Sequence, residues 1–435
     1  KNLINTDYLA AYMGNSNIDE KYSILGLKYN PFPRSGTANI NDNDSYNRRM
    51  LPIDSEVTKK IMTFTANALL ANQDHPEDKF QSCVILGDYG SGKTQLLMYI
   101  KSELREIANN PNYTAKPYVI YIDNPGVSLL EFIGNIISRI GEENLRKYLW
   151  NNIISTICNN DGYKTTLNKY LTGMQSFSFE GTISYDPYAP ENLLSYKQFL
   201  TAFVNQINTP NKRKNFDKDF QEVLLSILYS LTNDSVVSYY FYEFISSDYG
   251  VNKTWEALLN GKEAKVIKFI VQLVKEQGYT DFFILVDEFE DITEGRLSKI
   301  QLDNYIYNLR TLLDEHREWG LFFSMNPEAY KRLRRVSPPL ADRIATESVV
   351  LSAINIETSK RLIENYISIA DGDKINPFSE DGIERLGEIT EGNARRFLIL
   401  CFRLVEFAAK EFKSKDERID TKFINSHVNQ DGILL

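Results

Sequence analysis

The run Gly87-Asp88-Tyr89-Gly90-Ser91-Gly92-Lys93-Thr94 has the residue types and the spacing to hold a chain of phosphates. Gly87, Gly90 and Gly92 permit backbone angles closed to other residues, so successive amide N–H groups can turn inward around an anion. The Lys93 ammonium then reaches the terminal phosphates, and the Thr94 hydroxyl offers an oxygen to Mg²⁺. Gln95 opens a helix whose N-terminal partial charge adds to the attraction. The pattern is G-x-x-x-x-G-K-T, the P-loop, and its confirming context is an apolar strand before it and a helix after it. Both are present: Ser82-Cys83-Val84-Ile85-Leu86 enters the loop, and a helical stretch from Gln95 to Glu106 leaves it. The phosphate-binding candidates are therefore Gly87, Asp88, Tyr89, Gly90, Ser91, Gly92, Lys93, Thr94 and Gln95.

A second group of candidates ends two later apolar runs. Asp281-Phe282-Phe283-Ile284-Leu285-Val286 runs into the carboxylates Asp287 and Glu288, and Gly320-Leu321-Phe322-Phe323-Ser324-Met325 runs into Asn326. In an open parallel sheet the ligand sits beyond the carboxyl ends of the strands, and the P-loop marks which end that is. Asp287 would hold Mg²⁺ alongside Thr94, through water, while Glu288 would orient or deprotonate an attacking water. Asn326 would hydrogen-bond that water or the γ-phosphate; Asn326-Pro327 also reads as a turn opener. Glu290 and Asp291 read as solvated loop acids.

The elements that position these groups follow from periodicity. Helical spacing is expected over Ser55 to Ala71, with Val57, Ile61, Phe64, Ala68 and Leu69 on one face, and over Leu129 to Ile140; Pro117 to Asp123 reads as a strand. From about Gly141 to Gly261 the alternation stops. Amphipathic stretches at Asn144 to Cys158, Leu193 to Ile207, Phe216 to Leu231 and Val236 to Ser246, with a candidate hairpin at Phe177 to Tyr185, read as a mostly helical insertion, too large for a loop. Helix Lys265 to Gln277, the strand before Asp287, helix Leu297 to Glu315, the strand before Asn326 and a short strand Ser348 to Leu351 resume the α/β pattern. Only helices follow: Ile356 to Ala370, Ser379 to Ile389, Asn393 to Lys410 and Thr421 to Val428. This predicts a lead-in over 1–50, a nucleotide-binding α/β domain over 51–354 carrying the insertion at 141–261, and a helical lid domain over 355–435. Within the lead-in, Pro31 and Pro33 exclude a helix across Tyr22 to Pro33, which reads as extended, and the Asn/Asp-rich run Asn39 to Arg49 reads as a loop.

The 43% hydrophobic and 25% charged residues are those of an ordinary soluble globular chain. No window is long and apolar enough for a membrane span and the first residues lack a signal-peptide pattern, so the expected setting is cytoplasmic, without a membrane partner. Cys83, Cys158 and Cys401 lie far apart, as reduced core thiols rather than a disulfide framework, and three scattered histidines argue against a histidine-built metal site. A net charge of −9 does not advertise nucleic-acid binding, so DNA contact would need a local basic patch. Lys212-Arg213-Lys214 and Lys331-Arg332-Leu333-Arg334-Arg335 are the two candidates. The insertion's aromatics, Tyr185, Tyr188, Tyr239, Tyr240, Phe241 and Tyr242, read as core or as a protein interface.

Taken in order, the P-loop, Asp287-Glu288, Asn326, then Leu340-Ala341-Asp342-Arg343-Ile344 and Gly392-Asn393-Ala394-Arg395 in a helical C-terminal region resemble the AAA+ ATPases. The likeness is to the initiator-like branch, which includes origin-recognition and replication-licensing proteins, ExeA-type ATPases and TnsC. Gly26-Leu27 and Pro31-Phe32 look like the Gly-Leu and Pro-Phe lead-in of ExeA-type proteins, which in that family lies near the adenine. The resemblance runs from Gly26 to about Ala409, the insertion apart. It implies a P-loop AAA+ parallel αβα sandwich with a helical lid, binding ATP and Mg²⁺, and a homo-oligomer with shared ATP sites. Lys93 and Thr94 then correspond to Walker A, Asp287 and Glu288 to Walker B, and Asn326 to sensor 1. Arg343 corresponds to the arginine finger, with Arg332, Arg334 and Arg335 as alternatives, and Arg395 to sensor 2, with Arg396 as its competitor. The expected activity is Mg-dependent ATP hydrolysis that controls assembly and the engagement of DNA or an effector protein. Bacterial defence, transposition and replication-like processes are the settings it suggests. A nucleotide-gated scaffold with little turnover, recruiting an effector through the insertion, is the other reading.

Overall fold

The structure, a computed structural model, describes residues 21–35, 55–74, 81–171, 176–178, 181–183, 186–207, 209–247, 259, 261–293, 297–315, 319–429 and 432–433. Helix α1 (Ser55–Asp74) precedes strand β1 (Gln81–Gly87), the glycine-rich loop and helix α2 (Lys93–Asn109). Strand β2 (Pro117–Ile122) and helix α3 (Leu129–Ile140) follow, α3 capped by Ser128 accepting from the Glu131 amide. The insertion then contributes α4 (Glu142–Cys158), α5 (Asp161–Asn168), an antiparallel hairpin β3 (Ser176–Ser178) and β4 (Gly181–Ile183), α6 (Tyr196–Val204), α7 (Pro210–Thr232) and α8 (Ser235–Ser246). The α/β pattern resumes with α9 (Glu263–Lys275), β5 (Asp281–Val286), α10 (Lys299–Glu315), β6 (Trp319–Met325), α11 (Pro327–Val336), α12 (Pro338–Ile344) and β7 (Glu347–Leu351). Four helices close the chain: α13 (Ile356–Ile369), α14 (Glu380–Thr390), α15 (Ala394–Glu411) and α16 (Thr421–His427).

The five long strands form one parallel sheet in the order β2-β5-β6-β1-β7. Every residue of β5 and β6 is buried, which is why both read as unbroken apolar runs: a parallel sheet is covered on both faces. Side chains alternate between the faces. Cys83, Ile85, Val119, Tyr121, Phe283, Leu285 and Phe322 meet α1 and α2 through Ile61, Phe64, Leu96, Leu97 and Ile100. Val84, Ile120, Ile122, Ile284, Val286, Leu321 and Phe323 face the other way, into a core shared with α3, α9, α10 and the insertion. The result is an αβα sandwich with a large, mostly helical insertion and an all-helical C-terminal region.

The insertion is fused to the sheet's second core through Trp150, Phe199, Phe203, Phe216, Phe220, Phe241 and Phe244. Tyr240 and Phe241 are buried and Tyr188, Tyr239 and Tyr242 half-buried, so these aromatics serve mainly as core; Tyr185 lies outside the described residues. Asp234 ties α7, α8 and α9 together, accepting from the Val236 and Val237 amides through Oδ1 and from Lys262 and Lys265 through Oδ2, at 2.7 and 2.9 Å.

Two expectations need correction. Asn326-Pro327, which also reads as a turn opener, instead starts α11, and α12 follows it. Proline at the first helical position has the required φ and lacks only an N–H that would be unpaired there, so an Asn-Pro pair starts a helix equally well. The lead-in is not extended either. Ser23–Leu25 form a 3-10 turn closed by Gly26 in the left-handed conformation (φ 70°). Tyr22, Leu25, Leu27 and Phe32 are buried in the core of α13 to α16. The run Asn39 to Arg49 lies outside the described residues.

Candidate active site

The loop between β1 and α2 is built on two left-handed glycines, Gly90 (φ +78°) and Gly92 (φ +98°). At Gly90 space is also short: a Cβ would lie 2.6 Å from Asn393 Oδ1 and 3.0 Å from Arg395 Cβ. Those residues belong to the C-terminal helices, which sit directly on the loop. The Arg395 amide donates to Gly90 O (3.1 Å) and Asn393 Nδ2 to Tyr89 O (2.7 Å). The Arg395 guanidinium lies 5.0 Å from the centre of the Tyr89 ring and also donates to its hydroxyl. Lys93 Nζ donates to the carbonyls of Gly87 (2.8 Å) and Asp88 (3.2 Å), and Ser91 Oγ is buried without a hydrogen-bond partner.

Asp287, 3% exposed, meets the loop's helix directly: Thr94 Oγ1 donates to its Oδ2 over 2.6 Å. Tyr121 donates to the same oxygen (2.9 Å), while Oδ1 accepts from Ser324 Oγ and from the Glu288 amide (3.1 Å). Burial, then the neighbouring Asp287 charge and the bond to it, push the Tyr121 phenol well above its ordinary range, so it remains a donor at any working pH. Glu288 is exposed and holds a left-handed backbone conformation rare outside glycine (φ 50°, ψ 37°).

These groups line one end of a cavity of ≈ 660 Å³, with Tyr89, Gly90, Ser91, Gly92, Lys93, Thr94, Gln95, Asp287 and Glu288 on it and Arg395 facing them from the lid. The cavity is also lined by the apolar side chains of Val57, Leu351, Ile354, Leu362, Tyr366 and Leu398, beside Ser352, Asn355 and Thr358. A concave site that joins apolar surface to a few polar groups suits a ligand with a flat base and a charged tail. Gly26-Leu27 and Pro31-Phe32 do not line it; Phe32 stacks behind Tyr366, ring centres 5.2 Å apart.

Not every candidate converges. Gly87 and Asp88 contribute carbonyls to Lys93 rather than surface to the cavity. Asn326 lies off the cavity wall, and its Oδ1 caps α11 by accepting from the Ala329 amide (2.7 Å). Arg343 is remote from the cavity of its own chain; it pairs with Asp314 and donates to Pro339 O (2.9 Å). Arg396 turns from the loop toward Ile389 O, which leaves Arg395 as the arginine at the cavity. Tyr121 and Ser324, by contrast, are in the sequence only strand residues, yet both bond to Asp287. Their signal was the two-residue period: Tyr121 pairs with Leu285 and Val286 with Phe323, so 121, 287 and 324 fall on one face of adjoining strands.

Among the described residues no group of three or more His, Cys, Asp or Glu side chains is arranged to hold a metal ion. Thr94 and Asp287 instead offer the one hydroxyl and one carboxylate typical where Mg²⁺ takes its remaining ligands from phosphates and water. No described helix is long and apolar enough to cross a membrane.

Fold and site together define a parallel αβα sandwich whose glycine-rich β1–α2 loop faces an all-helical C-terminal region. No protein-family model and no curated protein matches the chain. Among solved structures it is similar to the Aeropyrum pernix ORC2 protein in ADPNP–ADP complexes, at 13% identity and a TM-score of 0.42, covering 89% of this chain and 73% of that one. It is also similar to the Aeropyrum pernix ORC1 protein in complex with DNA (12% identity, TM-score 0.42, 89% of this chain and 66% of that one). A third similar structure is Cdc6p from Pyrobaculum aerophilum (12% identity, TM-score 0.38, 86% and 67%). At scores below 0.5, what the site does rests on its own geometry.

Proposed function

We propose that the protein is an AAA+ ATPase that binds and hydrolyses Mg-ATP in the cytoplasm, its nucleotide state controlling homo-oligomer assembly and the engagement of DNA or a protein partner. The contact that carries this reading is the 2.6 Å bond from Thr94 Oγ1 to Asp287 Oδ2, which joins the glycine-rich loop to the carboxyl end of a different strand. Loop amides and Lys93 hold the phosphates, and Arg395 meets them from the lid with a guanidinium suited to bidentate contact. Mg²⁺, held by Thr94 and Asp287, would neutralise charge on the phosphates. Glu288, exposed on the cavity, orients the attacking water and accepts its proton. DNA would meet the exposed basic residues Lys331, Arg332, Arg334 and Arg335 on α11 and Lys212, Arg213 and Lys214 on α7, repeated in each subunit. Defence, transposition and replication-like roles fit this activity equally.

Lys93→Ala should abolish ATP binding, and Glu288→Gln should retain it while hydrolysis falls by about 100-fold. Filter binding and phosphate release read the two arms; hydrolysis at the parent rate in Glu288→Gln would remove that residue from the role. One observation favours the slower scaffold reading, in which the insertion recruits an effector: the Asn326 oxygen is engaged as a helix cap. Turnover that stays negligible with and without DNA, alongside tight ATP binding, would select it.

A further inference from the structure

Four donors close on the Asp287 carboxylate, and only Thr94 among the side chains belongs to a sequence motif. Tyr121 arrives from β2 and Ser324 from β6, the strands on either side of β5. Thr94 and Tyr121 hold Oδ2; Ser324 and the Glu288 amide hold Oδ1. With both oxygens tied in different directions, the carboxylate cannot turn about its Cβ–Cγ bond without losing at least two bonds. The four partners are three hydroxyls and an amide, all uncharged groups. The Ser324 hydroxyl also accepts from the Glu288 amide (3.3 Å), so one side chain from β6 touches both acids of the pair.

We infer that Tyr121 and Ser324 are positioning residues for a divalent cation: they fix the plane of the Asp287 carboxylate so that it presents its charge to the cation at the phosphate end of the cavity. This rests on the nucleotide reading proposed above. Partners one step removed from a metal commonly set its affinity by a factor of ten or more. Tyr118, on the same strand, belongs to the opposite face, where it packs against Tyr279 and Phe282, and serves as a control for loss of a tyrosine hydroxyl from β2.

The test uses the full chain as parent, Tyr121→Phe, Ser324→Ala and Tyr118→Phe. Each is titrated calorimetrically with MgCl₂ in the presence of a non-hydrolysable ATP analogue, and analogue affinity is measured separately in EDTA. Tyr121→Phe and Ser324→Ala should each raise the Mg²⁺ midpoint about tenfold, with the EDTA affinity and the Tyr118→Phe midpoint at parent values. Parent-like midpoints in both folded variants overturn the positioning role while leaving the nucleotide reading standing. If Tyr121→Phe does not fold, the Ser324→Ala midpoint decides alone. A parent that binds the analogue no more tightly with Mg²⁺ than in EDTA overturns the reading beneath it, and this inference with it.

Discussion

Glu288 holds a left-handed backbone conformation that side chains other than glycine, asparagine and aspartate adopt only at a cost of about 1 kcal/mol. Strain of this kind persists where the surroundings impose it, and here the Glu288 amide is tied to Asp287 and Ser324. Replacing Glu288 by glycine should therefore leave the melting temperature at or above that of the parent while hydrolysis is lost. A clear fall in melting temperature would show that the glutamate side chain has a structural duty instead. The residues of this site were unequally legible in the sequence. Lys93 and Thr94 stand in one contiguous motif, and Asp287-Glu288 end a run too apolar to be anything but a buried strand. Tyr121 and Ser324 could not be picked out, because their meeting with Asp287 depends on β5 lying between β2 and β6, and strand order is not written in periodicity.

Among the elements, α11 combines a side-chain cap with a basic exposed face. Its first turn is capped by Asn326 and its exposed side carries Lys331, Arg332, Arg334 and Arg335, so one residue both ends the central strand β6 and starts the basic helix. Serine keeps a capping oxygen and alanine does not, a difference of about 1 kcal/mol. Asn326→Ala should thus lower stability and Asn326→Ser should largely spare it, whereas a role for the amide in water positioning would lower hydrolysis in both. Denaturant midpoints set beside turnover rates separate the two duties. In the insertion, Asp234 is the equivalent joint. Burial opposes its charge, but the bonds from Lys262 and Lys265 prevail and hold its carboxyl below the usual range. A carboxylate depressed by folding stabilises above its unfolded pKa of about 4 and loses that contribution as pH falls further. Asp234→Ala should cost about 2 kcal/mol near neutral pH, from cap and charge partners together, with the deficit shrinking as the pH is lowered below about 4. Urea denaturation across that range reads it. The insertion's helical character was legible from its amphipathic spacing. That its aromatics fuse with the sheet's core was not, since a buried and an interface aromatic have the same sequence.

For the whole molecule, the lid and the loop form one surface: Asn393 and Arg395 pack on Gly90 and Tyr89, and the cavity is bounded on both sides by them. Arg343 does not line that cavity and pairs with Asp314; under the proposed function it would serve a neighbouring subunit. Mixing Arg343→Ala with Lys93→Ala subunits should restore part of the turnover that each lacks alone, because each mixed junction can pair an intact loop with an intact arginine. Absence of recovery in assemblies shown intact by light scattering would count against action across subunits. The change from strands to helices after β7 was readable from the change of texture in the sequence. The return of Tyr22 to Phe32 to the lid was not readable, as nothing in a Pro-containing apolar stretch names its partner.

That return has a practical corollary for anyone trimming the chain. Lys21, Tyr22 and Asn30 bond to Glu406, the Lys28 amide to Ala370, and Phe32 wedges between Tyr366 and Phe378. A shortened protein starting at α1 would keep every recognisable nucleotide motif and yet strip the inner packing from helices more than 300 positions downstream. Residues 21–35 and the C-terminal helices are halves of one body, with the five-stranded sheet threaded between them in the chain.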